Sequence, residues 1–317
     1  MRDVFATAAR WFEEKRTFAL ATLVTLRESA TAPVGTTISV DDRGQIAGNI
    51  GAGCYETEIV EAAMRTAADG QTRRLDINLV TEDEIFRVPG CGAMMQVVAW
   101  RPEASFLEDA RAIATGDRDV RVSFVYEDSS GSRATFEHLY PAKETLFLVG
   151  ATSLAGELAA IARRLDFKVV VVDPRPAFAT MERIPEAHAI VREWPEDYLP
   201  GVLTSRTPIV ILSHDSKFDL PALRCALRSE APYIGLLGSR RSQAARRETL
   251  RAEAFDESAL ARIHGPAGLD IGGTTPAQTA VSILAEIIAG RHGRSGTPLH
   301  ASHESIHRRG ETISARA

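Results

Sequence analysis

The stretch Leu146–Arg175, LFLVGATSLAGELAAIARRLDFKVVVVDPR, leaves this chain few folds to choose from. An apolar run, Leu146–Val149, stops at Gly150; Leu154, Leu158, Ile161 and Leu165 then recur at helical spacing; a second apolar run, Val169–Val172, ends at Asp173. Steps of three and four put the four apolar residues on one helix face, while short apolar runs closed by glycine or aspartate read as buried strands. Strand, tight turn, helix, strand, carboxylate is the opening unit of a doubly wound parallel sheet of the nucleotide-binding kind. The turn departs from the dinucleotide pattern G-x-G-x-x-G/A, whose second glycine lets the backbone approach a pyrophosphate. Its three positions here are Gly150, Thr152 and Ala155, so a β-branched residue replaces the middle glycine. Asp173 stands about 20 residues past the turn, the place of a ribose-binding carboxylate.

A chain of 317 residues has room for about two domains of roughly 150 residues each. The spacing predicts a smaller α+β domain over residues 1–142, a Rossmann-like α/β domain over 143–292, and a mobile polar tail over 293–317. In the first, an amphipathic helix precedes a strand, Phe18–Leu26. Strands Thr36–Val40 and Gln45–Ile50 flank the turn formers Asp41–Gly44, which predicts a hairpin. A helix follows from Tyr55, with Ile59, Ala62, Ala63 and Thr66 inward; then come strands Arg73–Leu79 and Met94–Trp100. In the second domain, Ala187–Val191, Pro208–Ser213 and Tyr233–Leu237 read as further parallel strands with helical crossovers, including Pro221–Leu227 and Arg240–Ala252. A last helix starts at Pro276 behind Thr275 as cap, with Val281, Leu284, Ile287 and Ile288 as its apolar stripe and Gly290 as its stop.

A net charge of -5 and the lack of a long basic run argue against nucleic acid or anionic membrane as partner. No apolar window approaches the roughly 18 residues that span a bilayer, and the N-terminus lacks a signal-peptide pattern. Three cysteines in so long a chain make no disulfide framework. The cytoplasm is the expected compartment.

Several segments are candidates for chemistry. Gly48-Asn-Ile-Gly-Ala-Gly53-Cys54-Tyr-Glu56 sets a thiol between glycines and a helix start, where the dipole favours the thiolate. Pro89-Gly90-Cys91-Gly92 sets a second thiol likewise. Both could instead be small buried hydrophobes, the common fate of free cysteine; Cys225, inside a helical pattern, reads that way. No C-x-x-C exists and no histidine precedes residue 101, so zinc is a poor fit. Thiolates are soft ligands and suit a sulfur-loving metal or a metal-bearing cofactor.

Ser213-His214-Asp215-Ser216-Lys217-Phe218-Asp219 follows a predicted strand, on the side where open α/β sheets bind ligands. The bland alternative is a solvated loop whose aspartate caps the next helix. Gly238-Ser239-Arg240-Arg241 opens another helix; two cations there oppose the dipole unless an anion sits between them, and a surface basic pair is the other reading. His264-Gly-Pro-Ala-Gly-Leu-Asp270-Ile-Gly272-Gly273 places one histidine and one aspartate among glycines, as a ligand-cradling loop would. His300, His303 and His307 have metal-like spacing but lie in the expected tail.

Taken together, Gly48–Glu56, Gly90–Gly92, His214–Asp219, Gly235–Arg241 and His264–Gly273 resemble the XdhC/CoxI family, accessory proteins of molybdenum hydroxylases such as xanthine dehydrogenase. The resemblance runs from about residue 18 to about residue 293. It implies a small N-terminal domain, a Rossmann-like domain, binding of the molybdenum cofactor (molybdopterin), and delivery to an apo-hydroxylase, with a cysteine desulfurase as second partner. On that reading Cys54 and Cys91 approach the molybdenum or its sulfurs, and Glu56 belongs to the same loop. His214, Asp215, Lys217 and Asp219 line the cleft between domains. Gly238, Ser239, Arg240 and Arg241 hold a phosphate, while His264, Asp270, Gly272 and Gly273 close over the pterin; Gly150 and Asp173 belong to a possible nucleotide site. Such proteins are chaperones rather than enzymes. Thr152 and Ser153 depart from the family's G-x-G-H turn, Ala32 replaces its loop arginine, and Ala93 alters its G-C-G-G, which marks a divergent member. The rivals are an NAD(P)- or FAD-dependent oxidoreductase and a nucleotide-sensing module. A homodimer is the base-rate expectation.

Overall fold

The computed structural model describes residues 1–27, 32–50, 55–78, 94–213 and 215–301. They form two compact units, divided between Ala142 and Lys143.

In the first unit, helix α1 (Arg2–Glu13) leads into strand β1 (Phe18–Arg27). Strands β2 (Thr37–Asp41) and β3 (Ile46–Ala47) form a hairpin in which Val40 faces Ile46. Its turn is held by Asp41, whose Oδ1 accepts from the amides of Arg43 and Gln45 at 3.0 and 2.7 Å. Helix α2 (Glu56–Asp69), strands β4 (Arg73–Asn78) and β5 (Met94–Trp100), helix α3 (Phe106–Thr115) and the hairpin β6 (Val120–Glu127) and β7 (Arg133–Tyr140) follow. The main sheet is antiparallel, in the order β3-β2-β1-β5-β4. The two-residue period of β1 divides its side chains. Ala19, Ala21 and Leu23 pack with Ile59, Ala63 and Ala67 of α2, while Phe18 and Leu20 pack with Phe5, Trp11, Ile113 and Val122 on the other face. Ala62, expected inside, is only half-buried; Ala67, one turn beyond Ala63, takes that place.

The second unit is built on β8 (Glu144–Val149), α4 (Ser153–Arg164), β9 (Phe167–Val172), β10 (Ala189–Val191), α5 (Pro195–Tyr198) and β11 (Ile209–Ile211). It continues through α6 (Ser216–Leu227), β12 (Ile234–Leu236), α7 (Arg240–Ala252), α8 (Glu257–Ala261), β13 (Ile263–His264) and α9 (Pro276–Arg291). All its strand pairs are parallel, in the order β10-β9-β8-β11-β12-β13. Counted within the unit this is 3-2-1-4-5-6, the doubly wound order that reverses direction between β8 and β11. Both faces are covered: Leu146, Leu148, Val169 and Val171 pack toward α4 and α9, and Phe147, Val149, Val170 and Val172 toward α6. Burial on both faces is why these strands are continuous apolar runs, and each such side chain contributes about 1.5–3 kcal/mol.

Four details differ from expectation. Leu165 lies past the end of α4 and is exposed, because the helix closes one turn after Ile161. Helix α6 begins at Ser216, with Pro221 inside it rather than at its start. The β9–β10 crossover holds only isolated turns, because Pro174, Pro176 and Pro185 remove amide donors along it. In α9, Val281 is exposed and the helix runs one residue past Gly290. Thr275 is its cap, and Gln278 completes a reciprocal capping box.

Candidate functional site

The turn after β8 is a close approach of two strand ends. Gly150 has φ +107°, and a Cβ there would lie 3.3 Å from the Ser213 amide nitrogen, so the continuation of strand β11 passes too close for a side chain to fit without a shift. The next amide, Ala151 N–H, donates to Asp173 Oδ2 at 2.8 Å. Asp173 is almost wholly enclosed, and its oxygens also accept from the Arg175 amide at 2.9 Å, from Nε at 2.9 Å and from Nη2 at 2.6 Å. Burial pushes this carboxyl upward, but the Arg175 guanidinium and two backbone amides outweigh it and hold the group below its ordinary value. The residue placed by spacing for a ribose therefore turns inward and binds the turn itself. Thr152 is the N-cap of α4, its Oγ1 accepting from Ala155 N–H at 3.3 Å.

Beside this turn lies an open cleft of about 540 Å³, lined by Thr152, Arg175, Leu212, Ser213, Asp215 and Ser216. It sits at the carboxyl ends of β8 and β11, where the strand order reverses and where such sheets bind ligands. Asp215 lines the cleft and caps α6 at once: its Oδ1 accepts from Lys217 N–H at 3.0 Å, and its own amide donates to Ser213 Oγ at 2.9 Å. Lys217 is exposed. Asp219 is not on the cleft; it is fully buried within α6 and paired with Arg246 of α7. Arg175 went unmarked in the sequence. Its guanidinium lies 4.6 Å from the Phe178 ring centre and 5.1 Å from that of Phe218, and Phe218 stacks on Trp194 at 5.2 Å. An arginine two residues past the strand-end aspartate was the available signal.

The predicted phosphate and loop residues gather at the neighbouring strand ends, β12 and β13. Gly238 has φ +124°, and Ser239 Oγ caps α7 by accepting from Ser242 N–H at 3.2 Å. Arg240 and Arg241 occupy the exposed first turn of that helix. Gln243 Nε2, buried, donates to the carbonyls of Leu236 and Leu237 at 2.9 and 3.1 Å and ties α7 to the strand. His264 Nδ1 lies 3.0 Å from Glu286 Oε1, while Glu286 Oε2 accepts from Tyr233 O–H at 2.5 Å and from Gly268 N–H at 2.7 Å. Burial raises the Glu286 carboxyl, but Tyr233, the Gly268 amide and His264 together hold it below its ordinary value. Burial and that same glutamate drive the Tyr233 phenol upward. His264 is thus an anchor for the glycine-rich loop, whose Asp270, Gly272 and Gly273 are exposed.

In the first unit, Glu56 opens α2, and its Oε1 is buried without a hydrogen-bond partner. Gly48 and Asn49 line a small hollow of about 270 Å³ with Ala32, Pro33, Thr36 and Thr37. Cys54, Cys91, His214, His303 and His307 lie outside the described residues. Cys225 is half-buried in α6; burial raises its thiol, as suits a packing residue.

Residues 146–287 match the model of the XdhC Rossmann domain, and residues 11–78 match that of the XdhC and CoxI family. The chain is 24% identical over 306 residues to a protein of Escherichia coli K12 named YqeB, covering 96% of this chain and 49% of that one. Over 150 residues it is 33% identical to a Bacillus subtilis protein named as a probable component of xanthine dehydrogenase, covering 47% of this chain and 43% of the other. With the E. coli molybdenum cofactor insertion chaperone PaoD it shares 22% identity over 289 residues, 86% of this chain and 83% of that protein. The chain thus spans about half the length of the first two relatives. A crystal structure described as a xanthine dehydrogenase from Bacillus halodurans has the same fold, with a TM-score of 0.77 at 21% identity over 94% of this chain and 98% of that one.

Proposed function

Because this chain belongs to the XdhC/CoxI family, we propose that it binds the molybdenum cofactor and supports the maturation of a molybdenum hydroxylase of xanthine dehydrogenase type. One observation carries the choice over a dinucleotide enzyme. The cleft lies at the switch point, yet the strand-end carboxylate that would meet a ribose, Asp173, is enclosed and spent on Ala151 N–H and Arg175. A ligand in this cleft is held by other groups.

The donor set fits a phosphorylated pterin. Thr152, Ser213, Asp215 and Ser216 give the cleft hydrogen-bonding groups for polar ring edges. Ser239, Arg240 and Arg241 stand at a helix start suited to a phosphate. His264, Asp270, Gly272 and Gly273 close over the ring, with His214 and Lys217 contributing further polar contacts. Cys54 and Cys91 are the candidate soft thiolates for the metal, with Glu56 in the segment of the first. Gly150 and Asp173 shape the turn rather than touch ligand. When bound, the cofactor supplies the redox centre that the hydroxylase needs; this chain's residues bind, orient and shield it. The working partners are an apo-hydroxylase and a cysteine desulfurase, the working form a cytoplasmic homodimer, and the role that of a chaperone.

The test is to load the purified protein with isolated cofactor, desalt it, and assay metal and pterin. Stoichiometric molybdenum and pterin are expected, with loss of both in a Cys54→Ala, Cys91→Ala double variant. Titration with NADPH and FAD should show no saturable binding. Failure to retain cofactor, or turnover with NADPH, would overturn the reading.

A further inference from the structure

Arg246 carries hydrogen-bonding capacity that the fold leaves unused. Side chains on a helix lean back toward its N-terminus, so from the second turn of α7 this guanidinium reaches the start of the helix. Its side chain is 10% exposed, and Nη2 pairs with the buried carboxylate of Asp219. Nε and Nη1 are buried with no hydrogen-bond partner. Native proteins seldom leave such donors empty, because each costs the desolvation of a charged group without return. The space above Nη1 is set by Gly238: a Cβ there would lie 3.3 Å from Arg246 Nη1 and 2.7 Å from Ser242 Oγ. Its φ of +124° is one that side chains rarely adopt. The amides of Arg240 and Arg241 are the first of a helix of 13 residues and have no carbonyl one turn back. Ser239 Oγ already serves Ser242 N–H, so the first-turn amides remain for a ligand.

We propose that the turn after β12 is an oxyanion site in which Arg246 is the buried anchor, and that its ligand is a phosphate group. Arg246 meets the anion through Nη1 from beneath the Gly238 turn, and the amides of Arg240 and Arg241 meet it from the helix end. Asp219 holds the guanidinium in place and balances its charge when the site is empty. The inference deepens the cofactor reading, on which the identity of the phosphate carrier rests: it moves the main contact from the exposed Arg240 and Arg241 to an enclosed arginine with a fixed partner.

The experiment is isothermal titration of the full chain with inorganic phosphate, with ADP and with isolated molybdenum cofactor, in the wild type and in Arg246→Lys. Lysine keeps the charge beside Asp219, so the fold is spared, but its single nitrogen cannot hold Asp219 and also present a second donor nitrogen to the anion. Losing hydrogen bonds to a charged group should weaken phosphate binding by about tenfold or more. Circular dichroism melting confirms the folded state, and Gly238→Ala provides a second variant that fills the space over Nη1 while leaving the arginine itself in the sequence. Saturable phosphate binding that both variants weaken supports the site. Unchanged affinity in Arg246→Lys, or no saturable phosphate binding by the folded wild type, overturns it. If phosphate binds through Arg246 while the isolated cofactor does not bind, the site stands and the cofactor reading falls, with ADP then testing a nucleotide as the carrier. If the cofactor binds both variants as tightly as the wild type while they bind phosphate less, the site stands and the cofactor is excluded as its phosphate carrier.

Discussion

Two turns of the second unit look alike on paper: Val149-Gly150-Ala-Thr152 before α4 and Leu237-Gly238-Ser239 before α7. Each follows a buried parallel strand, each opens on a glycine with positive φ, and each ends on a capping hydroxyl. Their electrostatics are opposite. A carboxylate fills the first from within, because Asp173 takes Ala151 N–H and is itself neutralised by Arg175. Behind the second stands an arginine with two nitrogens unspent. Shared backbone geometry therefore says where an anion could sit, and the charge of the side chain behind the turn says whether that place is taken.

The sharpest way to break this comparison is Asp173→Asn. The change removes a charge that neutralises Arg175 and weakens the acceptor for Ala151 N–H. Arg175 is partly exposed, so solvent relieves some of the loss; we expect about 2–3 kcal/mol of destabilisation, below the full cost of breaking a buried pair. Urea unfolding measures it. A change within about 0.5 kcal/mol, the usual range for surface substitutions, would mean that the carboxylate does not hold the turn.

Glu286 gives a smaller effect near the second turn. Its carboxyl, ordinarily near 4.5, is held lower in the fold. Its stabilisation is therefore fully present above about pH 4.5 and is lost as pH falls through the folded value. Glu286→Gln should cost about 1–2 kcal/mol near neutrality, the worth of a hydrogen bond to a charged group, and should flatten the acid side of a stability–pH curve. An acid limb as steep in the variant as in the wild type would assign that limb to other carboxylates, Asp173 among them.

How much of this could be read from the chain depends on the range of the interaction. Strands β8 and β9 were legible because burial on both faces leaves no polar residue in their apolar runs, and α9 because Thr275, Pro276 and Gln278 mark its start locally. The segment Ser213–Asp219 was legible as a loop at a strand's carboxyl end, and Asp215 lines the cleft found there. Spacing locates Asp173 at a strand end but cannot say which way its side chain turns; that depends on Arg175 and on the Ala151 amide of the neighbouring strand's turn. Asp219 read as part of a polar loop because its partner, Arg246, is 27 residues away on another helix. The same distance hid Arg246, whose role needs the packing of α6 against α7 and no local pattern.

The gentlest perturbation tests the comparison most directly. Thr152→Gly restores the middle glycine of the dinucleotide pattern. Glycine is itself a tolerated cap, so the cost should be only a few tenths of a kcal/mol. If the β-branched side chain were what keeps a pyrophosphate out, this variant should gain saturable NADPH binding. We expect none, because Ala151 N–H still donates to Asp173 and the turn still carries its own anion. Fluorescence titration of Thr152→Gly beside the wild type decides between steric and electrostatic closure. Binding gained by the single variant would return the first turn to the nucleotide-binding class. Continued silence would leave the inward carboxylate as what separates it from the turn before α7.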